Sequence, residues 1–316
     1  MIDTYSDGSV VAITGFVESI SERFTKNRKK FVQLTLCQNG RSASCFLWNT
    51  TLTASKIEQN DVVKVKGQVK LYNGKKSLHI SQHKKIEPTE ELMKELMPHL
   101  PDEEIEAYKQ EVNRLIAEVE NKNYKKLLTF AFKQYGEAIF ESPAASKVHN
   151  AYRNGLIEHI VAVTNNAVAI AKNYHTSVDM NLIITASLLH DIGKIKNYIF
   201  NKFVIEYTTA GCLMDHIAMG SEMISELCRK NDIKMTDEEL MLLKHCILSH
   251  HGSVSNGWGS CASPAIPEAI IIHTADMADT QLSIIADDID TLEAGTKTDT
   301  KNYFLKNFIY KRIGNN

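Results

Sequence analysis

The hydrophobic pattern of this chain changes its period at Pro88, and this change restricts the possible folds more than any other feature. In the segment DVVKVKGQVKLY, residues 61–72, apolar and polar residues alternate. One face holds Val63, Val65, Val69 and Leu71, and the other holds Lys64, Lys66, Gln68 and Lys70. A period of two is typical of a half-buried β-strand. The segment therefore predicts a strand with one face against a core.

Residues 10–86 contain further segments of this kind, separated by short turn signals. Asn73-Gly74 is the dipeptide that most strongly indicates a tight hairpin, and a second turn is predicted between Gln38 and Arg41. A helical segment is possible between Thr50 and Gln59. Short strands in close succession predict a small closed barrel, which we interpret as a five-stranded OB-fold.

After Pro88, apolar residues recur at helical spacing. Residues 87–141 are interpreted as a helical connector. Ser142-Pro143 is typical of a helix start, so a second, all-helical domain is predicted over residues 142–316. The expected fold class is α+β multidomain: an OB-fold barrel over residues 1–86, the connector, and an all-α helical bundle.

The charge of the chain is distributed unevenly between these regions. Residues 1–86 contain 14 Lys or Arg and 6 Asp or Glu, whereas residues 87–316 contain 22 and 32. The balances are therefore +8 and −10. A basic N-terminal domain favours a polyanionic partner.

Other compositional features exclude several classes of protein. No run of 18 or more apolar residues is present, so no membrane span is predicted. The first residues lack a basic and then apolar leader pattern, which makes the cytoplasm the expected location. The six cysteines form no C-x-x-C pair, which argues against a structural zinc site of that kind.

Histidines and aspartates recur at the ends or along the faces of the predicted helices. The set is His159, His190, Asp191, His216, His250, His251 and Asp276. A single helix histidine is usually a structural residue, as we expect for His245 and His273, but the whole set has the chemistry of a metal site. Imidazole and carboxylate ligands suit Mn, Fe, Co, Ni or Zn, and a carboxylate such as that of Asp191 can bridge two cations.

Neighbouring residues of this set receive simpler interpretations. Asp215 and Asp279 are expected to cap helices or to be solvated. Gly193 is expected to end the helix that precedes Asp191.

The ordered set H…HD…H…HH…D, with HDIGK at its centre, resembles the HD-domain metal-dependent phosphohydrolases. A basic OB-like domain followed by a helical connector and an HD domain resembles the YhaM-type 3′-to-5′ exoribonucleases over nearly the whole chain. The stretches AYRNGLIEHI, LLHDIGK, DHIAMGSEMI, LSHHG and HTADMADTQL carry this resemblance. The GYP element of cyclic-di-GMP phosphodiesterases does not follow HHG, which argues against that substrate.

The resemblance implies a site with two divalent metal ions, with Mn²⁺ the first candidate and Fe, Co or Ni as alternatives. One ion would be held by His159, His190, Asp191 and Asp276. The other would be held by bridging Asp191 with His216, His250 and His251. His251 could instead lie outside the ligand set. Lys194 corresponds to a lysine that contacts the scissile phosphate in many members, and the alternative for it is a solvated lysine at a helix end.

Basic and aromatic residues of the N-terminal domain are candidates for nucleic-acid contacts. OB-folds bind single strands by pairing cations with phosphates and stacking aromatic rings on bases. The candidates are Arg23, Lys26, Arg28, Lys29, Lys64, Lys66, Lys70, Trp48 and Tyr72. The alternative is that the lysines only solubilise the sheet and that most aromatic rings fill the barrel.

The leading functional hypothesis is a metal-dependent 3′-to-5′ exoribonuclease that degrades single-stranded RNA to nucleoside 5′-monophosphates, with single-stranded DNA as a second candidate substrate. Asp191 and Lys194 are its predicted catalytic residues. Two other hypotheses are an HD-domain phosphohydrolase of free nucleotides and a non-catalytic single-strand-binding protein. The resemblance also implies a homo-oligomer.

Overall fold

The structure is a computed structural model that describes residues 1–72, 74–146, 150–174, 178–201, 203–257 and 259–314, without the side chain of Asp287. It divides into two compact units. The first contains residues 1–99 and 200–204, and the second contains residues 100–199 and 205–316. No described helix is long and apolar enough to cross a membrane.

The first unit is a closed five-stranded barrel with the strand order β1-β2-β3-β5-β4. Its strands are β1 (Val10–Phe24), β2 (Lys30–Gln38), β3 (Arg41–Trp48), β4 (Val62–Tyr72) and β5 (Lys75–Ile86). All neighbouring strands are antiparallel except β3 and β5. The OB-fold prediction is confirmed.

The alternating pattern read from the sequence decides which side chains enter the barrel. Val63, Val65 and Val69 of β4 are fully buried, while Lys64 and Lys66 between them are exposed. Between β3 and β4 lies the short helix α1 (Leu52–Ser55), within the segment predicted to be helical. Tyr72 and Lys75 are paired across the predicted hairpin, whose Asn73 is outside the described residues.

Helix α2 (Glu90–Leu96) belongs to the first unit.

The second unit is mainly helical. The helices of this second unit are α3 (Asp102–Glu118), α4 (Lys122–Glu141), α5 (Gly155–Ala171), α6 (Met180–Leu189), α7 (Lys194–Asn197), α8 (Thr209–Lys230), α9 (Asp237–Ser249) and α10 (Pro267–Thr291). Residues Leu182 to Leu189 of α6 are all buried, which makes α6 the central helix of this unit. The expectation of a helical second domain is confirmed.

Three details differ from the sequence-based expectations. Helices α3 and α4, expected to form a connector, contribute Leu115 and Leu127 to the main core of the helical unit. Ser142 ends α4 instead of starting a helix, because its backbone N–H donates to the carbonyl of Ala138. A two-stranded hairpin, β6 (Tyr198–Asn201) and β7 (Val204–Tyr207), interrupts the region expected to be entirely helical.

Gly193 has a different role from the one expected. Its φ of −65° and ψ of −20° lie in the ordinary right-handed helical region, so the backbone conformation does not require glycine. A Cβ atom at this position would lie 2.0 Å from the carbonyl oxygen of His216. Glycine is therefore needed because the start of α7 approaches the backbone of α8 closely, and the interpretation as a helix-ending turn was wrong.

We expect Gly193→Ala to lower the free energy of unfolding, because the backbone of His216 must move to admit a methyl group. The matched control is Gly136→Ala within α4, where a Cβ meets nothing within 4 Å. That variant should gain about 0.5–1 kcal/mol from helix propensity. Urea denaturation of both variants checks the pair, and equal stabilities would contradict the close-contact role of Gly193.

Candidate metal centre

Five segments of the helical unit bring buried polar side chains to one place. His159 lies on α5, His216 on α8 and Asp276 on α10. His190 and Asp191 directly follow α6, and His250 and His251 directly follow α9. All of these residues except the partly buried His251 are at most 5% exposed. The structure thus brings together all seven residues that were predicted as ligands.

The carboxylate of Asp191 lies between two groups of histidines. Its Oδ2 is 3.3 Å from the Nε2 atoms of both His159 and His190. Its Oδ1 is 3.4 Å from Nε2 of His216 and 3.6 Å from Nε2 of His250. Each oxygen therefore faces its own pair of ring nitrogens, which is the arrangement that a bridging carboxylate requires.

The two helix-end histidines are oriented by the helices that they follow. Nδ1 of His190 lies 2.7 Å from the carbonyl oxygen of Ser187, and Nδ1 of His250 lies 2.7 Å from that of Ile247. The last carbonyls of a helix have no partner within the helix. Since a carbonyl can only accept, each Nδ1 carries the proton and each Nε2 keeps its lone pair directed at Asp191.

Carboxylates orient the other two histidines. Nδ1 of His159 donates to Oδ2 of Asp279 at 2.7 Å, and Nδ1 of His216 donates to Oδ1 of Asp215 at 2.5 Å. The expectation that Asp279 caps a helix or is solvated was wrong, because its side chain is only 15% exposed and binds His159. Its position three residues after Asp276, on the same helix face, was the available signal.

The unpartnered atoms of this cluster suit a cation. Among the described residues, Nε2 of His216 and of His250 and Oδ1 of Asp191 are buried and make no hydrogen bond. The Nε2 atoms of His159 and His190 lie only 3.3 Å apart. Lone pairs that converge in this way repel each other unless a positive charge lies between them. Nitrogen and carboxylate donors of this kind fit divalent transition metals.

The titration behaviour of the cluster follows from the same arrangement. Burial lowers the pKa of His216 and His250, and it lowers that of His251 to about 4, so these rings stay neutral. Burial opposes ionisation of Asp191, yet the ammonium charge of Lys194 outweighs it and holds the Asp191 pKa well below its usual range.

Burial opposes protonation of His159, yet hydrogen bonds to Asp191, Asp276 and Asp279 outweigh it and hold the His159 pKa well above its usual range. A metal ion would therefore have to displace a proton from this ring, because neutral imidazole and ionised carboxylate are the forms that bind metals.

Asp276, Lys194 and His251 complete the surroundings of Asp191. Oδ1 of Asp276 is 3.3 Å from Nε2 of His159, and Nζ of Lys194 is 2.6 Å from Oδ2 of Asp191. The ring of His251 lies 4.2 Å from that of His250, between centroids. His216, His250 and His251 form one group that could hold an ion, and His159, His190 and Asp191 form another.

The barrel presents an aromatic cluster on its outer surface. Phe31 and Trp48 have ring centroids 4.8 Å apart, Phe46 stacks on Trp48 at 5.6 Å, and Nε1 of Trp48 donates to Nδ1 of His79 at 3.2 Å. The main barrel core of the described residues is aliphatic. These rings therefore do not fill the barrel, and the sequence interpretation missed the part of His79 in the cluster.

The other predicted nucleic-acid contacts are distributed over the barrel surface. Lys64 and Lys66 are exposed on β4, where Lys70 is partly buried, and Tyr72 is 77% exposed at the end of this strand. The remaining candidates are exposed at the end of β1 and in the loop before β2, and they are Arg23, Lys26, Arg28 and Lys29. Their role in binding stays a prediction.

Comparisons with known proteins agree with both units. Residues 156–295 match the family described as HD domain, and residues 10–86 match the family described as OB-fold nucleic acid binding domain. Relatives named 3′-5′ exoribonuclease YhaM align with both domains together. The chain resembles these YhaM proteins over both of its domains. The protein from Oceanobacillus iheyensis is 28% identical over 90% of this chain and 90% of its own length.

Two further relatives named 3′-5′ exoribonuclease YhaM show the same extent of similarity. The relative from Bacillus velezensis is 29% identical, and the one from Bacillus subtilis is 28% identical. Each alignment covers 90% of this chain and 88% of the relative. The resemblance stated from the sequence is therefore confirmed, and it includes the pairing of the two domains.

Asp215 has an unusual backbone conformation at the start of the segment that carries His216. Its φ of 61° and ψ of 158° interrupt α8 immediately before His216. This region of backbone space is almost restricted to glycine and costs about 1–3 kcal/mol for other residues. The Asp215 carboxylate accepts hydrogen bonds from both the backbone N–H and the Nδ1–H of His216. We infer that the strain is retained because it orients His216.

We expect Asp215→Gly to have two separate effects, because the variant loses both the backbone strain at residue 215 and the carboxylate that orients the ring of His216. Removal of the strain should raise the free energy of unfolding, by up to about 1–3 kcal/mol. Loss of the carboxylate should weaken Mn²⁺ binding about 10–100-fold, as for other residues that orient metal ligands. Calorimetric titration with Mn²⁺ and thermal unfolding provide the two measurements.

The control for this experiment is Asp232→Gly, at an exposed position in the same unit with a φ of 48°. This change also relieves a positive φ but lies outside the candidate site. It should stabilise the protein and leave Mn²⁺ affinity unchanged. An Asp215→Gly protein that binds Mn²⁺ as tightly as the wild type would refute the orienting role.

Proposed function

We propose that this protein is a metal-dependent 3′-to-5′ exoribonuclease that degrades single-stranded RNA, with single-stranded DNA as a further candidate substrate. The observation that carries the proposal is the position of Asp191, whose two carboxylate oxygens face two separate pairs of histidine nitrogens. The relatives named 3′-5′ exoribonuclease YhaM support the reaction and its direction.

The proposed cofactors are two divalent metal ions, with Mn²⁺ as the first candidate and Fe, Co or Ni as alternatives. His159, His190, Asp191 and Asp276 would hold one ion. Asp191, His216, His250 and His251 would hold the other. Such a pair supplies Lewis-acid polarisation of a phosphoryl oxygen and a nucleophile from water at neutral pH.

Residues of the chain itself would bind and orient the terminal phosphodiester. Lys194 is only 7% exposed and its ammonium group lies beside Asp191, where it can offset negative charge that develops on phosphate oxygens. Asp279 and Asp215 hold the rings of His159 and His216 in place. Hydrolysis would break the bond between phosphorus and the upstream 3′ oxygen and release a nucleoside 5′-monophosphate.

The barrel would bind the single strand upstream of the cleaved bond. Its match to the family described as OB-fold nucleic acid binding domain supports this role. Trp48 is 41% exposed within the aromatic cluster, and the lysines of β4 project from the outer surface. Stacking of a base on an exposed ring contributes about 1–3 kcal/mol, and cations pair with the phosphates.

We expect Asp191→Ala to abolish cleavage and to leave RNA binding intact, because it removes the carboxylate that both metal ions would share. Digestion of 3′-labelled and 5′-labelled RNA and DNA oligonucleotides with Mn²⁺ measures the activity, the direction, the sugar preference and the product together. The wild type with a chelator is the matched control and should also be inactive. Normal digestion by the variant would refute the proposed centre.

We expect Trp48→Ala to weaken the binding of single-stranded RNA by about 1–3 kcal/mol through loss of a stacked base. Degradation of long RNA should slow accordingly. Tyr5→Ala, at a ring with the same 41% exposure elsewhere on the unit, is the control and should have little effect. If Trp48→Ala leaves RNA degradation unchanged and the protein hydrolyses free nucleotides, the phosphohydrolase hypothesis gains support instead.

A further inference from the structure

The C-terminal arm, which we define as residues 296–314, follows α10 and has no part in the candidate metal centre. It folds back on itself through backbone hydrogen bonds. Lys311 donates to Thr296 at 2.9 Å, Thr298 donates to Ile309 at 2.9 Å, and Asn302 donates to Asn307 at 2.8 Å. The arm is thus a defined hairpin-like structure and not a simple extension of the helix.

One buried residue and one hydrogen bond hold this arm in its shape and against the helix. Ile309 is only 6% exposed. Nδ2 of Asn302 donates to Oδ2 of Asp288 on α10 at 2.8 Å. An arm that is already ordered loses little conformational entropy when it binds a partner.

The charge of the arm is opposite to that of the sequence before it. The arm contains Lys297, Lys301, Lys306, Lys311 and Arg312 but a single acidic residue, Asp299. Residues 87–295 contain 17 Lys or Arg and 31 Asp or Glu, a balance of −14. A polyanion that approaches the helical unit would therefore meet a cationic surface at the arm.

Large aromatic side chains are interleaved with these cations and are exposed. Tyr303 is 75% exposed, Tyr310 57%, Phe304 54% and Phe308 42%. Nζ of Lys306 lies 4.0 Å from the centroid of the Tyr303 ring, and Nζ of Lys297 lies 4.2 Å from that of Phe308. Exposed rings with ammonium groups at their faces provide both elements of single-strand recognition, namely stacking and phosphate pairing.

We propose that the C-terminal arm is a second binding surface for single-stranded nucleic acid, carried by the helical unit. The composition favours this partner over a second copy of the chain, because four of the five cations of the arm are lysines, and lysine is depleted in protein–protein interfaces. The proposal rests on the proposed function only in its assumption that single-stranded RNA is the substrate.

The position of the arm predicts which substrates it contacts. Asp276 and Asp288, which Asn302 of the arm contacts, are 12 residues apart on one helix. At 1.5 Å per residue this is about 18 Å along the helix axis. A long strand bound at the metal centre can extend over this distance, whereas a dinucleotide cannot. The arm should therefore contribute to the binding of long RNA only.

The test is a charge reversal of two exposed arm residues in the full-length protein, Lys301→Glu with Arg312→Glu. The matched control is Lys122→Glu with Lys133→Glu, which changes exposed lysines of α4 in the same unit and gives the same net charge. Fluorescence anisotropy with a labelled single-stranded RNA, in chelator to prevent cleavage, measures affinity against salt concentration. Each lost phosphate contact lowers the slope of log K against log salt by about 0.7 for single strands.

We expect the arm variant to bind long RNA at least about tenfold more weakly, with a slope shallower by about 1.4 than that of the control. Tyr303→Ala with Phe304→Ala should weaken binding while keeping the wild-type slope, and circular dichroism checks the fold of all variants. Equal affinities of the arm and control variants for RNA would overturn the proposal. It would also be overturned if the arm variant changed its molar mass in light scattering but kept the wild-type salt slope, because the partner of the arm would then be a second copy of the chain.

Cleavage of a dinucleotide distinguishes the failure of this proposal from that of the proposed function. The arm variants should cleave a dinucleotide at the wild-type rate and long RNA more slowly. If the wild type cleaves neither substrate, the proposed function fails, but the comparison of binding slopes still decides whether the arm binds a single strand.

Discussion

The buried carboxylate of Asp191 is the group on which the arrangement of the helical unit depends. A carboxylate that is 1% exposed is unfavourable unless it is surrounded by partners of opposite polarity. Here four helices or helix ends contribute imidazole rings to it, and Lys194 contributes an ammonium group. The backbone next to this group is also closely packed, because a Cβ atom at Gly193 would lie 2.0 Å from the carbonyl oxygen of His216.

Much of the fold followed from hydrophobic periodicity, because the burial of a strand or helix face is a local property of the sequence. The alternation in β4 predicted its buried valines correctly, and the ordered histidines and aspartates predicted a group of residues that the structure does bring together. The packing between helices was harder to predict. Leu115 and Leu127 have helical spacing whether their helix is a connector or part of a core, and only the fold shows that they join the core.

Residues that position the site were the least predictable. Asp279 looks like any polar residue on a helix, and its bond to His159 depends on the packing of α5 against α10. The positive φ of Asp215 has no counterpart in the sequence, since the residue type gives no indication of such strain. Side chains that contact a substrate or an ion need special chemistry and are conspicuous, whereas those that orient them can be ordinary residues in particular places.

The hydrogen bonds from His190 and His250 to the ends of their own helices have a consequence for how this site can vary. Each ring satisfies a terminal carbonyl with one nitrogen and faces Asp191 with the other. The number of residues in each helix therefore determines where its terminal histidine points. One residue inserted into α6 would rotate its end by about 100° about the helix axis and direct His190 elsewhere. Insertions should therefore accumulate in the loops before these helices, while the number of residues between the core contacts of α6 and His190 stays fixed.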